Sequence, residues 1–166
     1  VDGQPVETFS TLINPGRPIP ADITQLTHIE DRDVLGKPRF EQVAGQVSRF
    51  VGSLPVVAHS VGFDLGFLRA QQLLYDNVGL DTWELAPILL PNQAGYRLGV
   101  LADRFSLAIP SQHRALDDAT ATGHLFLVLG DRVNRLPRAG LLEIGRLARG
   151  SGWPLGQVFE EALIAA

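Results

Sequence analysis

The stretch that decides the fold is VVAHSVGFDLGFL, Val56 to Leu68, and it is echoed by HRALDDATAT, His113 to Thr122. In each, a histidine precedes an aspartate by five residues: His59 and Asp64, then His113 and Asp118. The continuous apolar run from Leu54 to Ala58 ahead of the first pair reads as a short buried strand. Phe63, Phe67, Leu68 and Gln71 to Leu74 then mark a helix with a core-facing stripe, for which Ser60 is the expected cap. Asp64 falls in the first turn of that helix, where the helix dipole favours an ionised carboxylate. A long helix is expected from Ala115 to Leu129, with Asp118 near its start. Residues five apart on one helix stand about 140° apart around its axis. His113 therefore belongs to the loop led by Pro110 and Ser111, from which an imidazole can reach a cavity shared with Asp118.

Taken singly, these residues have plainer readings. An aspartate in a first helical turn is usually a dipole or capping residue, and Asp117 is expected to be just that. A histidine after a buried strand is more often a hydrogen-bonded structural residue than a ligand. His28 and His124 have no acidic neighbour at useful spacing and are expected to be structural or surface groups.

Working outward, VETFSTLIN from Val6 to Asn14 alternates apolar and polar residues and predicts a strand, with Asp2-Gly3 before it as a hairpin turn. Pro15-Gly16-Arg17-Pro18 closes that strand, and PADITQLTHIEDRDVLG predicts two short helical turns capped by Asp or Thr. Phe40, Val43, Val47, Phe50 and Val51 follow helical spacing. Leu80-Asp81-Thr82 predicts the end of a short strand leading into a helix that Pro91 terminates, and a further helix is expected over Leu98 to Phe105. Pro137 breaks the long helix, and Arg138 to Ala166 predicts two amphipathic helices separated by GSGWP. Strands alternating with helices make this an α/β layered sheet rather than a bundle. The expected division is a domain over 1–135 and a helical tail or connector over 136–166.

Composition narrows the chemistry. With 166 residues and 45% apolar content, one well-buried domain with a small appendage is expected. No run is apolar and long enough to cross a bilayer, and no signal peptide pattern opens the chain, so a cytoplasmic protein with no membrane partner is expected. The absence of cysteine leaves oxygen and imidazole as the metal donors, favouring magnesium or manganese over structural zinc. There is no methionine, and the chain begins at Val1, so a fragment of a longer protein is expected. The net charge of −4 is unevenly spread: the first 93 residues are net acidic, while residues 94 to 150 are net basic. Arg97, Arg104, Arg114, Arg132, Arg135 and Arg138 supply that basic balance, with solubilising surface groups as the plainer reading.

The order of segments resembles the DnaQ-like (DEDDh) 3′→5′ exonucleases of the ribonuclease H-like fold. The resemblance runs from about Val1 to Asp131 through FSTLINPGRPIP, LTHIEDRDV, VVAHSVGFDLGFL, LDTWEL and HRALDDATAT. Within it, HxxxFD followed by GFL, and H-x4-D ahead of an alanine-rich helix, are similar to the second and third motifs of that family. The resemblance implies a ribonuclease H-like mixed sheet flanked by helices. It also implies hydrolysis of terminal phosphodiester bonds of DNA or RNA by two divalent ions, Mg²⁺ or Mn²⁺. On the same footing, Asp64 and Asp118 would be metal ligands and His113 the general base, while His59 and Phe63 would lie near the terminal nucleotide. Phe63 is otherwise core. Ser60 departs from the asparagine common in relatives, a change between small polar residues.

The larger departure is upstream. The family's first motif, an acid-x-acid pair on the first strand, would precede Val1, and neither Asp2 in the turn nor Glu7 on the next strand can replace it. The expectation is a sheet lacking its first strand, half the carboxylates of the site, and an inactive chain. The partners implied are 3′ ends of single-stranded DNA or RNA. The tail LLEIGRLARGSGWPLGQVFEEAL is similar to the connector joining such domains to a DinG-like helicase, whereas a proofreading subunit like the polymerase III epsilon chain would serve a polymerase. Two other readings stand beside the exonuclease: a non-catalytic interaction module that kept the fold, and a mononuclear hydrolase ligated by His59, Asp64, His113 and Asp118.

Overall fold

The computed structural model of the protein describes residues 5–111 and 114–165. Two strands, β1 (Val56–Ala58) and β2 (Gly79–Asp81), form a parallel pair with Val57 opposite Leu80. They are joined by α4 (Val61–Ala70), giving a strand-helix-strand unit. Before it come α1 (Ala21–Thr27), α2 (Asp31–Val34) and α3 (Phe40–Val51). After it come α5 (Thr82–Leu89), α6 (Leu98–Phe105), α7 (Ala115–Val133), α8 (Arg138–Ser151) and α9 (Gly156–Ala165). The α/β layering expected from the sequence is therefore present, and helices outweigh strands among the described residues.

The strand expected over Val6 to Asn14 does not form. No strand lies beside it among the described residues, and without a partner an alternating sequence has no ladder to join. The segment instead runs along α3, with Phe9 5.8 Å from Phe50 between ring centroids and the Asn14 N–H donating to the Pro38 carbonyl at 2.8 Å. At its end the Gly16 N–H donates to Asn14 Oδ1 at 2.8 Å, closing the turn that Pro15-Gly16 announced. The hairpin turn expected at Asp2-Gly3 lies outside the described residues, as does His113.

The two short helices form as expected, and acidic residues hold their ends. Asp33 Oδ2 accepts the Glu30 N–H at 2.9 Å to close a capping box, and Asp31 Oδ1 accepts the Ile19 N–H at 2.8 Å.

β1 is half-buried rather than the fully buried strand expected, since it pairs on one edge only among the described residues. Asn77 ties the entry of β2 to the segment before β1: its Nδ2 donates to the carbonyls of Gly52 and Leu54 at 3.0 and 2.8 Å. α4 lies so close on β2 that a Cβ at Gly79 would meet Leu65 Cδ1 at 2.9 Å, which explains a glycine inside a strand.

The core is built on α7, whose buried residues Ala121, Thr122, Leu125, Leu129 and Val133 follow the helical repeat. α5, α6, β1 and α9 pack around it. Leu85 and Leu101 are fully buried there, and so is Phe159 of α9, so the tail helices share the same core. α8 and α9 approach closely enough that a Cβ at Gly156 would sit 2.6 Å from that of Ala148. Trp153, between them, stacks at 5.9 Å on Phe159 and donates its indole N–H to Glu84 Oε2 at 2.8 Å.

Candidate active site

Asp81 ends β2 and is buried. Its Oδ1 accepts the N–H of Trp83 at 2.8 Å, which caps α5, and the N–H of Ser60 at 2.9 Å. Its Oδ2 accepts the N–H of Val61 at 2.9 Å. One carboxylate thus caps two helices on neighbouring strands. Ser60 adopts the left-handed conformation, with φ 77 and ψ 53, and its hydroxyl makes no capping bond. The sequence-based assignment of the cap to Ser60 is corrected: the cap comes from across the sheet. A non-glycine residue in this region costs about 1–3 kcal/mol, which the charge-assisted bonds from Asp81 offset.

The turn so fixed carries His59. Its Nδ1 lies 2.9 Å from the hydroxyl of fully buried Thr82, which also reaches the Ala58 carbonyl at 3.2 Å. That carbonyl has nothing to donate, so the single hydroxyl proton goes to it and Nδ1 carries the ring proton, an assignment made from the network. Nε2 is then a buried acceptor with no hydrogen-bond partner among the described residues. Burial pulls the His59 pKa below the usual 6.5, and the Tyr96 carbonyl and the Asp81 charge oppose that shift without reversing it.

Asp64 stands in the first turn of α4 with an exposed side chain. The protein behind it still withdraws enough water to raise its pKa above the usual 3.8, against its own backbone N–H and with a further push from the Asp81 charge. Phe63, beside it, is 82% exposed, so the alternative that it is core is ruled out, and Phe67 one turn on is 56% exposed. Asp118 is half-buried in the first turn of α7, where its N–H donates to the Arg114 carbonyl at 3.0 Å. α4 and α7 both pack on β1, so the two aspartates open helices that share one strand. Among the described residues no cluster of three or more His, Asp or Glu side chains is arranged to hold a metal ion.

Residues 1–126 match the family described as Exonuclease (RNase_T). The chain belongs to this exonuclease family. It is 39% identical over 153 residues to the 3′-5′ exonuclease DinG of Bacillus subtilis, an alignment covering 89% of this chain and 16% of that protein. It is 37% identical over 131 residues to the DNA polymerase III subunit epsilon of Treponema pallidum, covering 75% of this chain and 61% of that one. Exonuclease X, solved in complex with 5′ overhanging duplex DNA, shares its fold with a TM-score of 0.63 at 24% identity, over 96% of this chain and 85% of that one. The chain thus spans less than two thirds of the length of DinG and of the epsilon subunit. The ribonuclease H-like α/β fold expected from the motifs is borne out.

Within this chain, the residues that sequence reasoning passed over are Asp81 and Thr82. Leu80-Asp81-Thr82 was legible as a strand end, but the groups that Asp81 holds lie about twenty residues earlier in the chain. Replacing Asp81 by Ala strands three N–H groups and is expected to lower stability by roughly 3 kcal/mol or more in urea denaturation. A loss under about 1 kcal/mol would contradict this role. His59, whose pKa is depressed on folding, contributes stability above its unfolded pKa that is lost as pH falls through its folded pKa. The urea midpoint should therefore decline as pH drops below 6.5, and His59→Asn should flatten that decline. Asp64, with its raised pKa, acts in the opposite sense, its penalty growing as pH rises above 3.8.

Proposed function

We propose that this chain is the 3′→5′ exonuclease portion of a longer DNA-processing protein, acting on 3′ ends of single-stranded DNA or RNA. The observation that carries the reading is that Asp64 and Asp118 stand in the first turns of two helices packed on β1, in a chain that matches an exonuclease family. In this reading residues 1–135 are the nuclease unit and 136–166 a helical connector. Similarity to DinG favours a helicase-fused protein, and similarity to the epsilon subunit favours service to a polymerase.

Asp64 and Asp118 are proposed as carboxylates for a pair of Mg²⁺ or Mn²⁺ ions, which when bound would activate water and stabilise the leaving oxygen. Two aspartates are too few for such a centre, and the described residues offer no third donor beside them. The further pair is proposed to come from an acid-x-acid strand upstream of Val1, pairing with the edge of β1 that no strand among the described residues occupies. His113 is the proposed acceptor of the attacking water's proton. The exposed ring of Phe63 suits contact with the terminal base or sugar, and His59 is proposed to lie near the same nucleotide.

The test compares the 166-residue chain with one extended upstream by its own coding sequence, on 3′-labelled single-stranded DNA with Mg²⁺. The extended protein should release 3′ nucleotides, and the shorter one far fewer. In the extended protein Asp64→Asn and Asp118→Asn should each abolish release, and His113→Gln should lower kcat by about 10²–10⁴. No release from the extended protein would sink the exonuclease reading and favour the interaction module.

A further inference from the structure

Asp81 does more than a helix cap requires. Ser60 stands at the cap position of α4 with a hydroxyl of its own, and in the extended backbone usual for a cap that hydroxyl would accept an N–H from the first turn. Ser60 is instead held left-handed, with φ 77, and the bonds that take the place of its cap come from the far strand. Oδ2 of Asp81 accepts the Val61 N–H and Oδ1 the Ser60 N–H, both at 2.9 Å, and the same Oδ1 accepts the Trp83 N–H at 2.8 Å. A strained backbone persists only where its surroundings over-determine it. Here they do so by tethering the first turn of α4 to the end of β2 and the start of α5. Asp64 stands on that tethered turn, three residues beyond Val61, and the Phe63 N–H donates to the Ser60 carbonyl at 2.9 Å.

We infer that Asp81 is a positioning residue for the reaction at the 3′ end, acting through the Ser60–Val61 turn to fix where Asp64 and Phe63 stand; the inference rests on the exonuclease reading. Asp81 is buried and both of its carboxylate oxygens are engaged, so it does not touch the substrate itself. Capping alone would satisfy the N–H groups of α4, and a side chain at position 60 is enough for that. The tether adds something a local cap cannot: it sets the start of α4 against the ends of both strands. Thr82, the next residue, holds His59 on the other side of Ser60, so the end of β2 grips the turn on both flanks. A reacting group displaced by about 1 Å can cost about 10²-fold in rate with the fold intact.

The test compares the protein extended upstream of Val1 with its Asp81→Asn and Asp81→Asn/Ser60→Gly variants, by urea denaturation and by kcat and KM on 3′-labelled single-stranded DNA with Mg²⁺. Asparagine keeps one oxygen for the Ser60 and Trp83 N–H groups and turns an amide donor towards Val61, so the fold survives with one bond lost. Asp81→Asn should lower the urea midpoint, and should lower kcat by about 10–10²-fold with a much smaller change in KM. Glycine takes the left-handed conformation without steric cost, so Ser60→Gly should restore most of the lost midpoint. It should leave kcat low, because the turn is then freer and no better tethered. Recovery of kcat together with the midpoint would reduce Asp81 to a stabilising cap and overturn the inference, as would an unchanged kcat in Asp81→Asn or a change confined to KM. Failure of the exonuclease reading is told apart by the extended protein without substitutions, which would then release no nucleotide, and the inference would fall with it.

Discussion

A single buried carboxylate sets the geometry on which the rest of the site depends. Asp81 accepts N–H groups from the start of α4 and from the start of α5, and so fixes the two turns that leave the parallel strands. Those turns in turn orient everything with chemical potential nearby: His59 through Thr82, and Asp64 through the first turn of α4. The arrangement stores conformational cost at Ser60, whose left-handed backbone is held in place by Asp81 and not by its own side chain. The Asp81 charge also reaches His59 and Asp64, pushing both pKa values upward, so the same group that builds the site tunes it.

Packing supplies the rigidity that such a site needs. α7 is the spine: its apolar face is covered by α5, α6, β1 and α9, and its first turn carries Asp118. Phe159 of α9 and Leu155 of the segment between α8 and α9 join that core and so brace α7 from the side. By contrast, the segment over Val6 to Asn14 contributes one aromatic contact and few backbone bonds, the pattern of a low-stability region.

The helices were legible from the sequence because apolar spacing reports a buried face directly. α3 and α6 fall where the repeat puts them, and α7 runs on to Val133 because Val133 extends the same buried stripe. The two histidine-aspartate motifs rest on a family resemblance and not on apolar spacing, and one of them, at His113, lies outside the described residues. What was not legible depended on partners distant in sequence. Alternation at Val6 to Asn14 describes the faces of a strand but says nothing of a neighbour to pair with. Ser60 had the chemistry of a cap, while the actual cap lies 21 residues on. Phe63 sits on the apolar pattern of α4, yet periodicity cannot say that this part of the helix faces solvent.

We propose that Asp64 and Asp118 are two halves of one cation site. Titration with Mn²⁺, followed as paramagnetic broadening of backbone amide resonances, decides it. In the protein extended upstream of Val1, amides around residues 61–65 and 115–119 should broaden together at the same Mn²⁺ concentration, and Asp118→Asn should weaken the effect at both. Broadening confined to one of the two helices, or scattered evenly over surface acids, would contradict the claim.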